Sequence, residues 1–444
     1  MTKYNKKSAV PWYFIMMLVL IFYPYTFQFS GFDAITTGSA VIVLITCLFI
    51  LSIFINGRRY RKLFVFWFIL FSCSTVSTLS IDFGSEYFGT SFRRYVQFVT
   101  AISIMWVIAN SISRWSPDVI LESCEKLLWW ILLLHASHVI IALVVYIKPE
   151  IGSLFSIFMT KERVIYEIPV IDHVTRLATL IMMPEAAGEM VVLVGPTALY
   201  FWMKRRDLTS ILILGLITIS VLLTVTRSTI LLYMLAQGTY LFFSWQKIKR
   251  KQKNAMLMLL AAMPVLLILT SSLWLEPLIL RMDLASSKFD ENTSLIEAIN
   301  RSNVWYAAFD GMLSNLSFFG NGMISIVNGR SLNFHSLYLT TIHQLGAIGG
   351  ATFLGLLFYI LTKAYSSTKI MKKYQMPEYA LQRALVIGIA LLYVNQIKYE
   401  FIRHSSYQQL VMIILAISYV LSWSAKKRIY LAQNKKMEKN VANR

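Results

Sequence analysis

Charge is what this sequence has least of. Asp, Glu, Lys and Arg make up 14% of its 444 residues, against about 25% in soluble globular chains. A larger core does not absorb the deficit, because single cores stop growing near ~250–300 residues. A water-soluble globular chain is therefore excluded, and the 57% of residues that are hydrophobic are expected to face lipid as well as one another. Cysteine is nearly absent, with three in all. Cys47 and Cys73 fall inside apolar runs and Cys124 on a connection. That distribution excludes a disulfide framework or a metal-binding spacing, and buried, inert thiols are expected. Internal repeats and low-complexity tracts are also lacking. The first apolar run, Pro11–Phe29, has no small-residue cleavage site after it, so it reads as a retained span and not a secretory signal.

What is present is a succession of apolar runs. A bilayer core of about 30 Å needs roughly 20 apolar residues per helix. The sequence predicts an all-α integral membrane protein of about 12 transmembrane helices, in a single polytopic domain over 1–444. The spans fall near 11–30, 34–55, 63–81, 96–112, 127–147, 188–203, 208–226, 228–245, 255–273, 336–362, 382–397 and 407–425. Residues 208–245 form one apolar run of 38 residues, ~57 Å as a single helix. It must break, and Arg227 at its middle marks a tight hairpin.

Orientation follows from the basic residues. The net charge of +20 suggests nucleic acid at first sight, but Lys and Arg sit in short clusters between apolar runs, the positive-inside pattern. With Lys3, Lys6 and Lys7 in the cytoplasm, alternation places 29 of the 42 basic residues inside and the other 13 outside. Both termini are then cytoplasmic, and no nucleic-acid partner is expected.

Two external segments exceed turn length, 148–187 and 274–335, and loops this long are usually functional when ordered. Leu295, Ala298, Ile299, Trp305, Phe309 and Leu313 recur at helical spacing, so short helices on the outer membrane surface are expected in the second. The external face also gathers Arg176, Arg227, Arg281, Arg301 and His335, each from a different connection or span end. Guanidinium groups form bidentate, charge-assisted hydrogen bonds to phosphate. A cluster of them at the lipid interface suits a lipid-linked pyrophosphate. Each also has a plainer reading, as an interfacial anchor or the partner of a nearby acid such as Asp283 beside Arg281. An arginine between two apolar spans costs ~2.5–3.5 kcal/mol if it enters the membrane, which weighs against a passive role for Arg227. His335 opens a span, and unperturbed imidazole, titrating near ~6.5, accepts a proton at neutral pH. A hydrogen-bonded structural histidine is the alternative there. His343 and the pair His135 and His138 read as structural, inward-facing groups.

These residues resemble a known family. Leu222-Leu223-Thr224-Val225-Thr226-Arg227-Ser228 is similar to the "tgSRg" turn of the bacterial O-antigen polymerase and O-antigen ligase superfamily. Arg301-Ser302-Asn303-Val304-Trp305, followed by Phe319-Gly320-Asn321-Gly322, resembles its "R…W…plxGxG" segment. His335-Ser336-Leu337-Tyr338-Leu339, followed by Leu345-Gly346-Ala347-Ile348-Gly349, resembles "HNxyL…xxGxxG", and Arg176-Leu177-Ala178-Thr179-Leu180 is a looser likeness to "RxtGl…EP". The motifs occur in family order over about 170–360. Thr226 and Ser228 depart from the family's serine and glycine, and Ser336 stands where asparagine is common. The Pro184-Glu185 order is inverted, so no role passes to Glu185.

The resemblance implies a membrane-embedded, type C-like glycosyltransferase that needs no metal or other cofactor. Its donor would be an undecaprenyl-diphosphate-linked glycan, used at the outer face of the bacterial cytoplasmic (inner) membrane. By position, Arg176, Arg227 and Arg301 would bind the donor pyrophosphate, where developing charge needs stabilisation, and His335 would act as base toward the acceptor hydroxyl. Membrane lipids, a chain-length regulator and a flippase are the implied partners. A polymerase of O-antigen or capsule-like repeat units is the first reading, because polymerases tolerate more divergence in these motifs. The ligase that moves polymer onto lipid A–core shares donor, fold and motifs. A flippase is a third class, but flippases are built from repeated halves with charges in a central cavity. Here ionisable groups collect at one face. A channel or membrane sensor leaves the arginines unexplained.

Overall fold

The structure, a computed structural model, describes residues 12–23, 44–45, 48, 61–148, 150–151, 165–167, 175–177, 179, 182–245, 318–327, 330–331, 334, 336–403 and 405–442. Within them the chain is helical apart from two small antiparallel ladders. The helices are α1 (Trp12–Phe22), α2 (Arg61–Leu79), α3 (Phe88–Ile112), α4 (Pro117–Ile147) and α5 (Pro184–Arg205), then α6 (Leu208–Leu223), α7 (Arg227–Ser244), α8 (Leu337–Lys373), α9 (Tyr379–Asn395) and α10 (Ser405–Ala442). Six of them, α2, α3, α4, α5, α8 and α10, are long and apolar enough to cross a membrane; α1, α6 and α9 are shorter apolar helices. The chain is a multi-pass helical membrane protein. The expected spans near 34–55 and 255–273, and the surface helices expected around 295–313, lie outside the described residues, apart from 44, 45 and 48.

Chain direction alternates along the bundle, so connections gather at two ends. One end, here called basal, holds the links α3–α4, α5–α6 and α8–α9. There Lys427 of α10 donates to the carbonyls of Arg114 (3.3 Å) and Trp115 (2.7 Å). Arg428 joins Asp118 at the start of α4 to buried Glu378 ahead of α9, both at 2.6 Å. Lys204 near the end of α5 reaches Glu125, 2.5 Å away. Tyr13, at the start of α1, lies within electrostatic reach of Arg114. The start of α1 and the far end of α10 therefore share the basal end.

Burial separates central helices from peripheral ones. α5 and the apolar part of α10, up to Ala425, are enclosed almost throughout, α5 by α6, α7 and α9, and α10 by α3, α4 and α8. Without a hydrophobic drive between helices in lipid, small residues that admit close backbone approach favour packing. A Cβ at Gly388 of α9 would lie 2.2 Å from the Leu193 carbonyl of α5. On the periphery, Leu208, Leu231 and Phe242 are 70%, 68% and 76% exposed. Apolar exposure on that scale marks a lipid-facing surface.

Several boundaries differ from those read in the sequence. α3, α4, α8 and α10 run past their apolar cores, because polar residues at the interface satisfy a helical backbone as well as apolar ones do. Cys124, expected on a connection, is buried inside α4, and Cys73 is buried on α2. The expected external loop 148–187 ends earlier, since Pro184 occupies the first turn of α5, a position where its missing N–H costs nothing. That loop carries the ladder of β1 (Ile165–Glu167) with β2 (Thr175–Leu177), which pairs Tyr166 with Arg176. The second loop carries β3 (Ile326–Val327) with β4 (Arg330–Ser331).

Candidate functional site

The other end of the bundle, here called apical, holds the candidate motifs. The 38-residue apolar run does break, over residues 224–226, and Arg227 is the first residue of α7. The break is tight. Val225 is buried with φ at +50°, a conformation that a β-branched residue rarely adopts, and Thr226 caps α7 in an extended conformation. Thr229 then donates to the Thr226 carbonyl at 2.9 Å. Across from it, a Cβ on Gly188 of α5 would meet Thr229 Oγ1 at 2.6 Å. Only glycine lets the first turns of α5 and α7 approach so closely.

The neighbour of Gly188 is Glu189, fully buried within α5. Its Oε2 accepts from Gln396 Nε2 at 2.9 Å and from the Tyr407 hydroxyl at 3.0 Å, and its Oε1 accepts from the Asn395 amide. One carboxyl thus ties α5 to the end of α9 and the start of α10. Gln396 extends the tie, because its Oε1 accepts from Phe401 N at 2.9 Å, in the 3-10 turn Phe401–Arg403. The same corner holds the start of α8. Leu337 N donates to the carbonyls of Gln396 (3.0 Å) and Tyr399 (3.2 Å). Thr340 donates to Glu400, and the Tyr338 hydroxyl to the Tyr393 carbonyl at 2.8 Å. Interhelical hydrogen bonds in membranes average about 0.6 kcal/mol, so three return about 2 kcal/mol. Desolvating a carboxyl inside a span sets a cost of similar or larger size against that return. Stability alone is a poor reason to keep a carboxyl here. The tie it makes is a better one.

A second device fixes the other side of α8. The helix is interrupted at Gly346, where φ is +74°, and the segment 318–325 lies in the break. Asn321 N donates to the His343 carbonyl, and Ile348 N to the Phe318 carbonyl, both at 3.2 Å. Ser77 of α2 donates to the Gln344 carbonyl and accepts from Gly322 N at 2.8 Å, while Ser91 of α3 accepts from Met323 N at 2.9 Å. A Cβ on Gly320 would lie 2.1 Å from the Gln344 carbonyl oxygen, and one on Gly346 would lie 2.3 Å from Gly320 N. The "GxG" and "GxxG" segments, separate in sequence, are packed backbone against backbone. Loose backbone groups at membrane depth require such partners.

The expected site residues are placed as follows. Arg176 lies on β2, which touches α4 and α6 and leads into the start of α5. Arg227 begins α7. For both, the backbone alone is described. Arg301, Arg281 and His335 lie outside the described residues, His335 immediately before Ser336, the cap of α8. The backbone therefore gathers the start of α7 at Arg227 and the start of α8 at Leu337 around one polar node. His343 is buried and packs edge-on to Phe334, with ring centres 5.1 Å apart. His135 and His138 are buried on α4, the latter against Phe22 and Tyr23 of the α1 end. Among the described residues no three His, Cys, Asp or Glu side chains gather to hold a metal ion.

The node of Glu189, Asn395, Gln396 and Tyr407 escaped the reading of the sequence. Its signal was there: an acid inside a predicted span is a functional candidate by default, and Asn395-Gln396 closes another. The chain matches no known family model and no curated protein.

Proposed function

We propose that this protein is a polymerase of lipid-linked glycans, a glycosyltransferase with about twelve spans in the bacterial cytoplasmic membrane. Undecaprenyl-diphosphate-linked oligosaccharide repeat units are its substrates and an O-antigen or capsule-like polysaccharide its product. The basal end, with its Lys and Arg clusters, faces the cytoplasm, and both termini lie there. The apical end faces outward.

The observation that carries the reading is the meeting of the Gly320 and Gly346 segments inside α8, a helix whose start is tied through Gln396 and Glu189 to the contact between α5 and α7. The motifs resembling the O-antigen family are spread over more than a hundred residues. Alternation of the helices puts these segments at one end, and the direct backbone packing of Gly320 against Gly346 is the contact that supports the reading. In the proposed reaction, an acceptor sugar hydroxyl attacks the anomeric carbon of the donor glycan. His335 takes the hydroxyl proton, the new glycosidic C–O bond forms, and the anomeric carbon–oxygen bond to diphosphate breaks. Undecaprenyl diphosphate leaves with the electron pair, and Arg176, Arg227 and Arg301 stabilise its charge. Lipid facing the bundle holds the polyprenyl chain at the depth where headgroups and arginines meet.

The test is reconstitution of the purified protein with lipid-linked repeats. A ladder of glycan lengths is expected. A single transfer to a lipid A–core acceptor, without a ladder, would identify a ligase instead.

A further inference from the structure

We infer that Glu189 is a positioning residue for this reaction, which holds the His335-bearing start of α8 in register with the Arg227-bearing start of α7. The inference rests on the polymerase reading for its kinetic consequence, but its geometric part stands independently. Among the described residues Glu189 bonds to Asn395, Gln396 and Tyr407. It acts through two short paths. On one side its neighbour Gly188 is pressed against Thr229, in the first turn of α7. On the other, Gln396 takes up Glu189 with its amide nitrogen and Phe401 N with its amide oxygen, and the Gln396 carbonyl accepts Leu337 N. Leu337 is two residues after His335. Remove the tie, and the corner between α9 and α10 is free to shift with α8 while α7 stays against α5.

The polarity of the bridge gives a clean exchange. Gln396→Glu keeps the oxygen that accepts Phe401 N but sets a second carboxyl against Glu189. Adding Glu189→Gln restores one donor and one acceptor with no change in volume. Both variants are compared with the parent after size-exclusion chromatography confirms intact protein. Tyr407→Phe, which removes a single donor, serves as a milder probe should Gln396→Glu fail to fold.

Two readouts separate the claims. In polymerisation assays Gln396→Glu is expected to lower kcat by about 100-fold, the scale of a 1 Å misplacement, with donor KM within about twofold. The double variant should recover most of the rate. Independently of activity, Ser336→Cys in a background free of other cysteines reports on the start of α8, where Ser336 is buried. Its labelling by a membrane-impermeant maleimide should be slow, rise several-fold with Gln396→Glu or Tyr407→Phe, and fall again in the exchange. Unchanged labelling in the single variants, or no rescue by the exchange, overturns the positioning role. If labelling behaves as expected while no protein, parent included, makes polymer, the positioning stands and the polymerase reading fails.

Discussion

Gly320 and Gly346 each combine a positive φ with a neighbour that leaves no room for a Cβ. Alanine at either site meets backbone and not a flexible side chain, so the loop must leave the break in α8. A strained backbone of this kind costs of order 1–3 kcal/mol before any clash is counted. Gly320→Ala and Gly346→Ala are each expected to lower the melting temperature of detergent-solubilised protein by several degrees. Gly355, whose Cβ would meet nothing, should tolerate alanine, and equal losses at all three sites would count against the docking. At the basal end, Arg428→Ala leaves the buried Glu378 carboxylate without its cation. Breaking such a pair costs about 3 kcal/mol, measurable as reduced unfolding free energy, whereas Arg428→Lys should retain part of it. The glycine motifs were legible in the sequence as motifs, but their mutual contact was not. Their pairing depends on a helix interrupted inside an apolar run, which composition does not reveal.

The α6–α7 hairpin shows what an element-level reading captures. A 38-residue apolar run cannot be one helix across a bilayer, and Arg227, its one charge before the end, placed the break to within a few residues. The extra turns of α3, α4, α8 and α10 were invisible for the opposite reason, since hydropathy locates lipid and not the end of hydrogen bonding. The turn between α5 and α6 shows a local device at work. Asp207 caps α6 by accepting from Ser210 N at 2.9 Å. Hydrogen bonds from Ser210, with a smaller part from Arg205, hold its carboxyl below the usual range. A depressed folded value means that the contribution is complete above the unfolded value of ~3.9 and fades as pH falls through the lower, folded one. Asp207→Ala should therefore melt earlier than the parent at neutral pH, with the gap closing in strong acid. A gap that persists there would show that the cap acts without its charge.

Across the whole molecule, the positive-inside bias and the alternation of helices agree on one arrangement. Lys and Arg near Arg114, Lys204, Lys373 and Lys427 cluster where the α3–α4, α5–α6 and α8–α9 links lie, and α1 begins and α10 ends at that same side. Tags at both termini should be reached by protease only after the cytoplasmic face is opened, while a tag in the β1–β2 connection should be cleaved in intact spheroplasts. The bilayer forces this alternation, so it was legible. The convergence of the polar node at the other end was not, because its four partners come from three helices whose neighbours no local pattern specifies.

The most direct test of the central claim uses purified protein in proteoliposomes with undecaprenyl-diphosphate-linked repeats, comparing the parent with Arg227→Ala and His335→Ala at equal membrane levels. The account predicts a ladder of glycan lengths from the parent and none from either variant. A normal ladder from either variant would contradict the assignment of that residue, and no ladder from the parent would contradict the function itself.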